Sequence, residues 1–597
     1  MKRIFTSVVA CLLCSSALAT NLQRPIDKII NQIDPNINMG MMVVDLNTGE
    51  TLYQRNATNT FTPASNMKLF SDAAALLVLG PDYRFQSRLS TDATSLRDGI
   101  LTGSLYLYLP GDPSFTQGHL DILFAQLPTW GIHRIQGNVV LVSDHSTIAP
   151  HAPGVVPNDL TYSYGAPTAP LMVDENRLTV TVNPSYRVGE PAIIEYSAPN
   201  DTFVLDNHVK TAAAASHCGV GVKTTSDNHL LVQGCISLGQ GAVQARIPIA
   251  HPLSYAQVLI RNRLENVNVT LDGQVLLGQP PQKTLLLATH ASKPITQLMA
   301  DTLKPSDNLY ADSLFLHAAE TIHGSPLNWQ QSQPIVKNFL QQQTGINLQN
   351  AVLIDGSGLS RQDLLTPLQT VGLLRYLHDR FPLAYEYIAA LPIAGQDGTL
   401  LRRFRKPTQR GFLRAKTGSM TGIMSLSGYL YSANAHTLAF AIYINTRHGT
   451  SPSISGRYRG MVDALCDFLL QQKPDNKRVT PTANPHARVA FQQQPSLSDK
   501  TQVRHAKWRR IEYALKQALK NQPISIIFRN EQLVLIDHGA DVNRTWSAIQ
   551  SVGKKYSFAV ALHGKSAPTS NKQMPLLMWV NNGSDNLRTW YLRETVG

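Results

Sequence analysis

Ser65-Asn66-Met67-Lys68 follows Pro63 at the start of a helix predicted over 65–79. The three-residue spacing returns the lysine to the serine's face, and the positive field of the helix start surrounds the hydroxyl. An unprotonated amine there can take the hydroxyl proton, as nucleophilic catalysis by serine requires. The pattern recurs at Ser551-Val552-Gly553-Lys554, and a single match is most often an N-cap serine beside a surface lysine. A second cluster, Ser306-Asp307-Asn308, follows Pro305 and leads into a helix predicted over 308–322. Its hydroxyl can relay a proton to a leaving amine, while the asparagine amide binds a substrate carbonyl and orients the lysine. Copies of it at Ser226 and Ser584 read as turn or cap chemistry. The third cluster, Lys416-Thr417-Gly418-Ser419, closes a predicted strand. A cationic amine and two hydroxyls on a sheet edge can hold a carboxylate, Gly418 lets a backbone approach, and the Ser419 amide faces a reacting carbonyl. Order separates the copies: Ser65, Ser306 and Lys416 form a complete series, whereas no Lys-Thr-Gly follows Ser551 or Ser584.

The elements that must hold these clusters follow from the texture of the chain. Its 597 residues are 43% hydrophobic and 16% charged, enough for about four globular units and too apolar for a disordered chain. A net charge of +13 favours anionic surroundings without naming a partner. Residues 24–85 read as α/β, with short strands at 40–45 and 51–53 before the Ser65 helix. From 86 to 250 short alternating runs such as 104–109, 138–142, 177–182 and 192–196 are separated by Gly, Pro, Asn and Asp, a sheet-forming pattern. Helical periodicity returns at 253–263, 295–302, 308–322, 331–344 and 367–379, followed by strands at 412–416, 424–431 and 438–445. The simplest architecture is a multidomain α/β protein: one domain from 20–85 and 251–470, carrying a β-rich insertion over 86–250.

Residues 471–504 lose periodicity and read as a linker. A small basic α/β module is expected over 505–597, with a helix presenting Trp508, Ile511, Leu515 and Leu519, and strands at 524–528, 533–536 and 557–562. From residue 501 onward there are 14 Lys plus Arg against 6 Asp plus Glu, a composition suited to an anionic envelope polymer or a glycan. At the other end, Lys2 and Arg3 precede the apolar stretch 4–13, and Ala17-Leu18-Ala19 offers small residues for cleavage after Ala19. A lipoprotein signal at Cys11 is the rival, with a shorter apolar core. Residues 1–19 are therefore expected to be a signal peptide, and the mature chain to lie in the periplasm. Cys218 and Cys235 flank a predicted hairpin and can bridge in an oxidising compartment; Cys466 reads as a buried core thiol.

With all three clusters in place, the chain resembles a known family. It is similar to the low-molecular-mass class C penicillin-binding proteins, the D-alanyl-D-alanine carboxypeptidase/endopeptidases called penicillin-binding protein 4. The blocks that carry the resemblance beyond the three clusters are Asp355-Gly356-Ser357-Gly358-Leu359-Ser360-Arg361, Ala394-Gly395-Gln396-Asp397-Gly398-Thr399-Leu400, Arg414-Ala415 before Lys416, and Tyr164-Gly165-Ala166-Pro167. It covers about 24–470, and the long gap between Ser65 and Ser306 is itself in the family's manner.

The resemblance implies a serine β-lactamase/transpeptidase-like domain, an antiparallel sheet flanked by helices. It implies that Ser65 attacks the carbonyl of the penultimate D-alanine with Lys68 as base, that Ser306 and Asn308 complete a proton relay, and that Lys416 binds the terminal carboxylate with Thr417 and Ser419. The amides of Ser65 and Ser419 would form the oxyanion hole, and β-lactams would acylate Ser65. Burial and the charge of Lys416 are both expected to push the Lys68 pKa down. Members preferring diaminopimelate hold that side chain through an acid and an arginine, matched here to Asp144 and Arg361. The rivals are a serine β-lactamase, whose glutamate base has no match at Glu320 or Glu386, and a catalytically silent cell-wall scaffold. No cofactor, metal or nucleic-acid partner is expected; the 18 histidines contain no His-Glu-x-x-His. We expect Ser65→Ala to abolish both peptidase activity and penicillin acylation, with Ser551→Ala unchanged in both. A dead Ser551 variant would relocate the nucleophile.

Overall fold

The computed structural model describes residues 22–143, 148–168, 171–199, 202–225, 229–446 and 452–472, together with five strands beyond 523. The expected signal peptide, Asp144, the bulk of the linker, the Trp508 helix and the serine clusters at 226, 551 and 584 lie outside the described residues. The chain forms two compact units, Met1–Asn476 and Lys477–Gly597.

A five-stranded antiparallel sheet organises the first unit, in the order Leu413–Met420, Ile423–Tyr431, Thr437–Asn445, Met39–Asp45 and Thr51–Arg55. Its strands near the middle are buried along nearly their whole length and mostly apolar because both faces are covered, and the period of two assigns alternate residues to different cores. Along Thr437–Asn445, Ala439, Ala441 and Tyr443 pack into a core shared with the helices Lys68–Leu79, Asn308–His323 and Pro367–His378. Leu438, Phe440, Ile442 and Ile444 enter the opposite core, beneath the helices Gln23–Ile33 and Pro452–Leu470. Cys466 is a buried free thiol in that second core, as its surroundings suggested. The segments before and after the insertion thus interleave in one sheet.

The helix Lys68–Leu79 is buried from Lys68 to Leu76, and its Ala73-Ala74-Ala75 run keeps it thin enough to lie between the sheet and its neighbours. It does not begin at Ser65. Ala64–Met67 is a 3-10 turn, entered through Ala64 at φ +47°, and the α-helix starts only at Lys68.

The inserted region ends later than the composition suggested. The strand Leu285–Ala291 pairs antiparallel with Gln86–Thr91, completing a five-stranded sheet with Val275–Leu277, Val139–Val142 and Leu105–Tyr108. The helix Pro252–Asn266 sinks Tyr255, Leu259, Ile260 and Leu264 into the insertion's own core. Residues 251–291 therefore belong with the insertion; helical periodicity identified an element there but not the core that owns it. Two three-stranded sheets lie in the same unit, one built around Arg177–Asn183 and one around His229–Ser237. In the latter, Val220–Thr224 runs antiparallel to His229–Ser237, and Cys218 is disulfide-bonded to Cys235. No helix among the described residues is long and apolar enough to cross a membrane.

In the second unit Ile524–Arg529 and Gln532–Asp537 form an antiparallel hairpin, Leu577–Asn581 pairs parallel to Gln532–Asp537, and Ala559–Leu562 pairs with Trp590–Arg593. The strands at 577 and 590 were not read from sequence, since neither short run alternates.

Gly358 shows how closely the fold must close around the Ser65 turn. It sits at φ +78°, and a Cβ there would lie 1.9 Å from the Ala64 carbonyl oxygen. Gly324 has a similar φ of +86° but open space around it. We expect Gly358→Ala to lower the melting temperature and to abolish acylation at Ser65, and Gly324→Ala to cost only the backbone term, about 1 kcal/mol, with acylation intact. Equal behaviour of the two variants in both assays would contradict this account.

Candidate active site

The turn carrying Ser65 is pinned to the sheet from behind. Ser425 Oγ donates to the Pro63 carbonyl at 2.7 Å, and Asn66 Nδ2 donates to Ser427 Oγ at 2.8 Å. Gly418, on the edge strand, passes so near that a Cβ would sit 3.0 Å from the Ser65 nitrogen, so only glycine brings the strand and the turn together.

Lys68 is completely buried and its ammonium has three contacts: Ser65 Oγ at 3.1 Å, Asn308 Oδ1 at 2.6 Å and the Ser357 carbonyl at 2.6 Å. The last two can only accept. Asn308 is fixed in that orientation because its Nδ2 donates to the Tyr164 carbonyl at 2.9 Å. A neutral amine keeps two N–H bonds for these two acceptors, so its lone pair is left facing the Ser65 hydroxyl, the one partner able to donate. The hydrogen-bond pattern therefore suits the amine to accept a proton from that hydroxyl.

Burial pulls the Lys68 pKa down to about 8, against the opposing charges of Asp312, Asp355, Asp307 and Asp72. Lys68 and Lys416 disfavour each other's charge, and after burial it is the charge of Lys68 that depresses Lys416. Burial also lifts Asp72 and Asp312 well above the usual carboxylate range, which blunts their hold on the Lys68 proton.

Ser306 occupies a left-handed conformation, φ +68°, unusual for a residue with a side chain. Its Oγ accepts from Lys416 Nζ at 2.8 Å, and the same amine donates to the Thr417 carbonyl at 2.7 Å. Asp307 caps the next helix through the Tyr310 amide at 3.3 Å. Two of the quoted blocks now have mechanical roles. Asp355 accepts from the Gly358 and Ser360 amides and Gly356 donates to Asp312, which aims the Ser357 carbonyl at Lys68. In the other block, the Thr399 amide donates to the Lys304 carbonyl at 3.0 Å and Lys304 Nζ reaches Asp397 at 2.6 Å, while Thr417 Oγ1 donates to Thr399 Oγ1 at 2.8 Å.

Ser65, Ser306, Asn308 and Ser419 line a cavity of about 280 Å³ together with Arg361, Asp159 and Tyr164. Arg361 Nη1 donates to the Thr421 carbonyl at 3.3 Å, and Tyr164 Oη to Asp159 at 3.0 Å. The stacked rings of Tyr162 and Tyr164, 5.2 Å apart, stand partly exposed. Asp144 lies outside the described residues; the carboxylate lining the described cavity is Asp159. It was missed because a lone Asp in a Pro-Asn-Asp turn looks structural, although it stands five residues before the Tyr164 block. Thr399 and the Ser357 carbonyl carry no sequence signal of their contacts, which arise only when distant segments meet. Among the described residues no cluster of His, Cys, Asp or Glu could hold a metal ion.

A model of the D-Ala-D-Ala carboxypeptidase 3 (S13) family matches residues 22–464. D-alanyl-D-alanine carboxypeptidase DacB of Haemophilus influenzae is 31% identical over 460 residues, 74% of this chain and 93% of that protein. D-alanyl-D-alanine carboxypeptidase of Actinomadura sp. strain R39 is 32% identical over 483 residues, 78% of this chain and 88% of that one. The crystal structure of penicillin-binding protein 4 from Haemophilus influenzae superposes with a TM-score of 0.67 at 29% identity, covering 75% of this chain and 99% of that chain. The same protein complexed with a novel β-lactam gives 0.62 at 28% identity, again over 75% and 99%. With the three clusters converging on one cavity inside the matched region, the chain belongs to the D-Ala-D-Ala carboxypeptidase 3 (S13) family, a family of serine peptidases and low-molecular-mass class C penicillin-binding proteins.

Proposed function

We propose that Ser65 is the nucleophile of a D-alanyl-D-alanine carboxypeptidase/endopeptidase acting on peptidoglycan stem peptides and cross-links, and that β-lactams acylate the same hydroxyl. The observation that carries this reading is the three-way contact of Lys68, which leaves its lone pair for Ser65. The amine takes the hydroxyl proton as Oγ bonds to the carbonyl carbon of the penultimate D-alanine. Amides of Ser65 and Ser419 receive the negative charge that develops on the carbonyl oxygen. When the C–N bond breaks, the proton passes by way of Ser306 Oγ to the departing amine. Water then attacks the ester, Lys68 again serving as base, and releases the shortened peptide and the free serine.

Lys416 and Thr417 are the carboxylate site. Burial holds Lys416 well below the usual lysine range, and an incoming carboxylate supplies the counter-charge that favours the ammonium. Binding of the terminal D-alanine and protonation of Lys416 are thus coupled. Arg361 and Asp159 offer opposite charges on the same cavity, suited to the zwitterionic end of a diaminopimelate side chain. The N-terminal leader and the Cys218–Cys235 disulfide support a periplasmic location. The basic C-terminal module is suited to holding the enzyme on anionic envelope polymer.

Intact-mass analysis after incubation with benzylpenicillin, with peptide mapping, should find a stable adduct on Ser65. Its rate of formation should rise with pH through a midpoint near 8, where Lys68 loses its proton. Rapid drug turnover would indicate a β-lactamase, and no reaction a silent scaffold. Deleting residues 475–597 should leave this acylation intact and weaken retention on anionic envelope material; unchanged retention would remove the binding role of the module.

A further inference from the structure

Arg177 opens a strand of the insertion, yet its side chain reaches the catalytic domain and is only 5% exposed. Its guanidinium forks across the Asp307 carboxylate, Nη1 to Oδ2 at 2.5 Å and Nη2 to Oδ1 at 3.1 Å. Its Nε donates to the Ser163 carbonyl at 2.8 Å, and Nη1 also reaches Glu175, which Arg246 shares at 3.0 Å. These targets bracket the reaction centre. Asp307 lies between Ser306 and Asn308, and Ser163 precedes Tyr164, whose carbonyl fixes the Asn308 amide and whose ring lines the cavity. One planar group therefore holds the peptide on both sides of the Asn308–Tyr164 hydrogen bond. A lysine, a point charge without the fork, could satisfy the carboxylate but not both partners.

We infer that Arg177 is a positioning residue for the acyl-transfer reaction, tying the Ser306–Asn308 motif to the Ser163–Tyr164 segment and neutralising Asp307 beside Lys68. The inference rests on Ser65 and Lys68 being the reacting pair. The charged groups facing Lys68 are Asp72 on its own helix, Asp307 at the cap of the Asn308–His323 helix and Asp312 within it, Asp355 from the glycine-rich block, and Lys416 on the edge strand. Those facing Asp307 are Arg177, Lys68 and the Tyr310 phenol, with Glu175 behind Arg177. Asp307 favours the protonated form of Lys68. Removing the permanent positive charge of Arg177 leaves that pull uncompensated, so the lysine must lose its proton at higher pH; removing Asp307 alone does the opposite.

The test is the pH dependence of benzylpenicillin acylation at Ser65 in the full-length protein and in Arg177→Met, Asp307→Asn, Arg177→Lys and the Met/Asn double variant. The rising limb should move up in Arg177→Met by roughly half a pH unit, about threefold slower reaction below the midpoint. It should move down in Asp307→Asn, which retains a good helix cap, and return to the wild-type midpoint in the double variant. Arg177→Lys should keep the midpoint while raising KM for a diaminopimelate-containing peptide, because the hold on Ser163 is lost. A structural role alone would change melting temperature and amplitude without moving the midpoint in opposite directions, and that result overturns the inference. If Arg177→Met does not fold, an Asp307→Asn midpoint that fails to fall overturns it equally. Absence of acylation at Ser65 in the wild type would overturn the site assignment first, and the inference with it.

Discussion

The site depends on taking one amine out of water. An ammonium buried without partners is costly, and the fold offsets that cost with three contacts to Lys68 while still leaving its pKa about 8. Each contact comes from a different part of the chain: the Ser65 turn, the start of the Asn308 helix and the Asp355–Arg361 block. Displacing any of them leaves an amine with an unmatched hydrogen or reaim its lone pair. Most of the surrounding architecture can be understood as what keeps those three segments in register.

The sheet supplies one half of that restraint and the insertion the other. From the sheet, Ser425 and Ser427 hold the Ser65 turn while the edge strand delivers Lys416 to Ser306. From the insertion, the Tyr164 carbonyl orients Asn308. The left-handed backbone at Ser306 is tolerated because both flanks of it are held. Strain of this kind, of order 1–3 kcal/mol, persists only where surroundings over-determine the conformation.

The three clusters were legible because their chemistry is local: a hydroxyl and an amine three residues apart, a cap followed by an amide, a lysine ending a strand. The central sheet was legible because its apolar runs were long and bounded by turns. What sequence did not disclose was long-range. Nothing in Arg177 or Asp159 distinguishes it from other charged residues until the insertion folds against the Asn308 helix. Composition placed the insertion's end at 250, since the helix Pro252–Asn266 has the same period whichever core it serves; only the pairing of Leu285–Ala291 assigns it. The Lys68 environment was half legible: burial follows from an Ala- and Leu-rich helix, but the ring of carboxylates around it comes from residues scattered between 72 and 355.

The ends of the insertion carry a consequence for how such a chain tolerates change. Phe85 and Ser292 meet as a clasp: the Phe85 amide donates to Ser292 Oγ, the Ser292 amide returns a bond to the Phe85 carbonyl, each at 2.9 Å, and Arg84 adds another to the Ser292 carbonyl. Once the inserted unit has formed its own core, its two ends are already side by side, so the catalytic sheet and helices experience a short connection instead of a long loop. The entropy of closing residues 86–291 falls on the insertion alone. Away from the clasp and the patch that grips Ser306–Asn308, the outer sheets can lengthen, shorten or be exchanged, leaving the sheet and helices around Ser65 as they were.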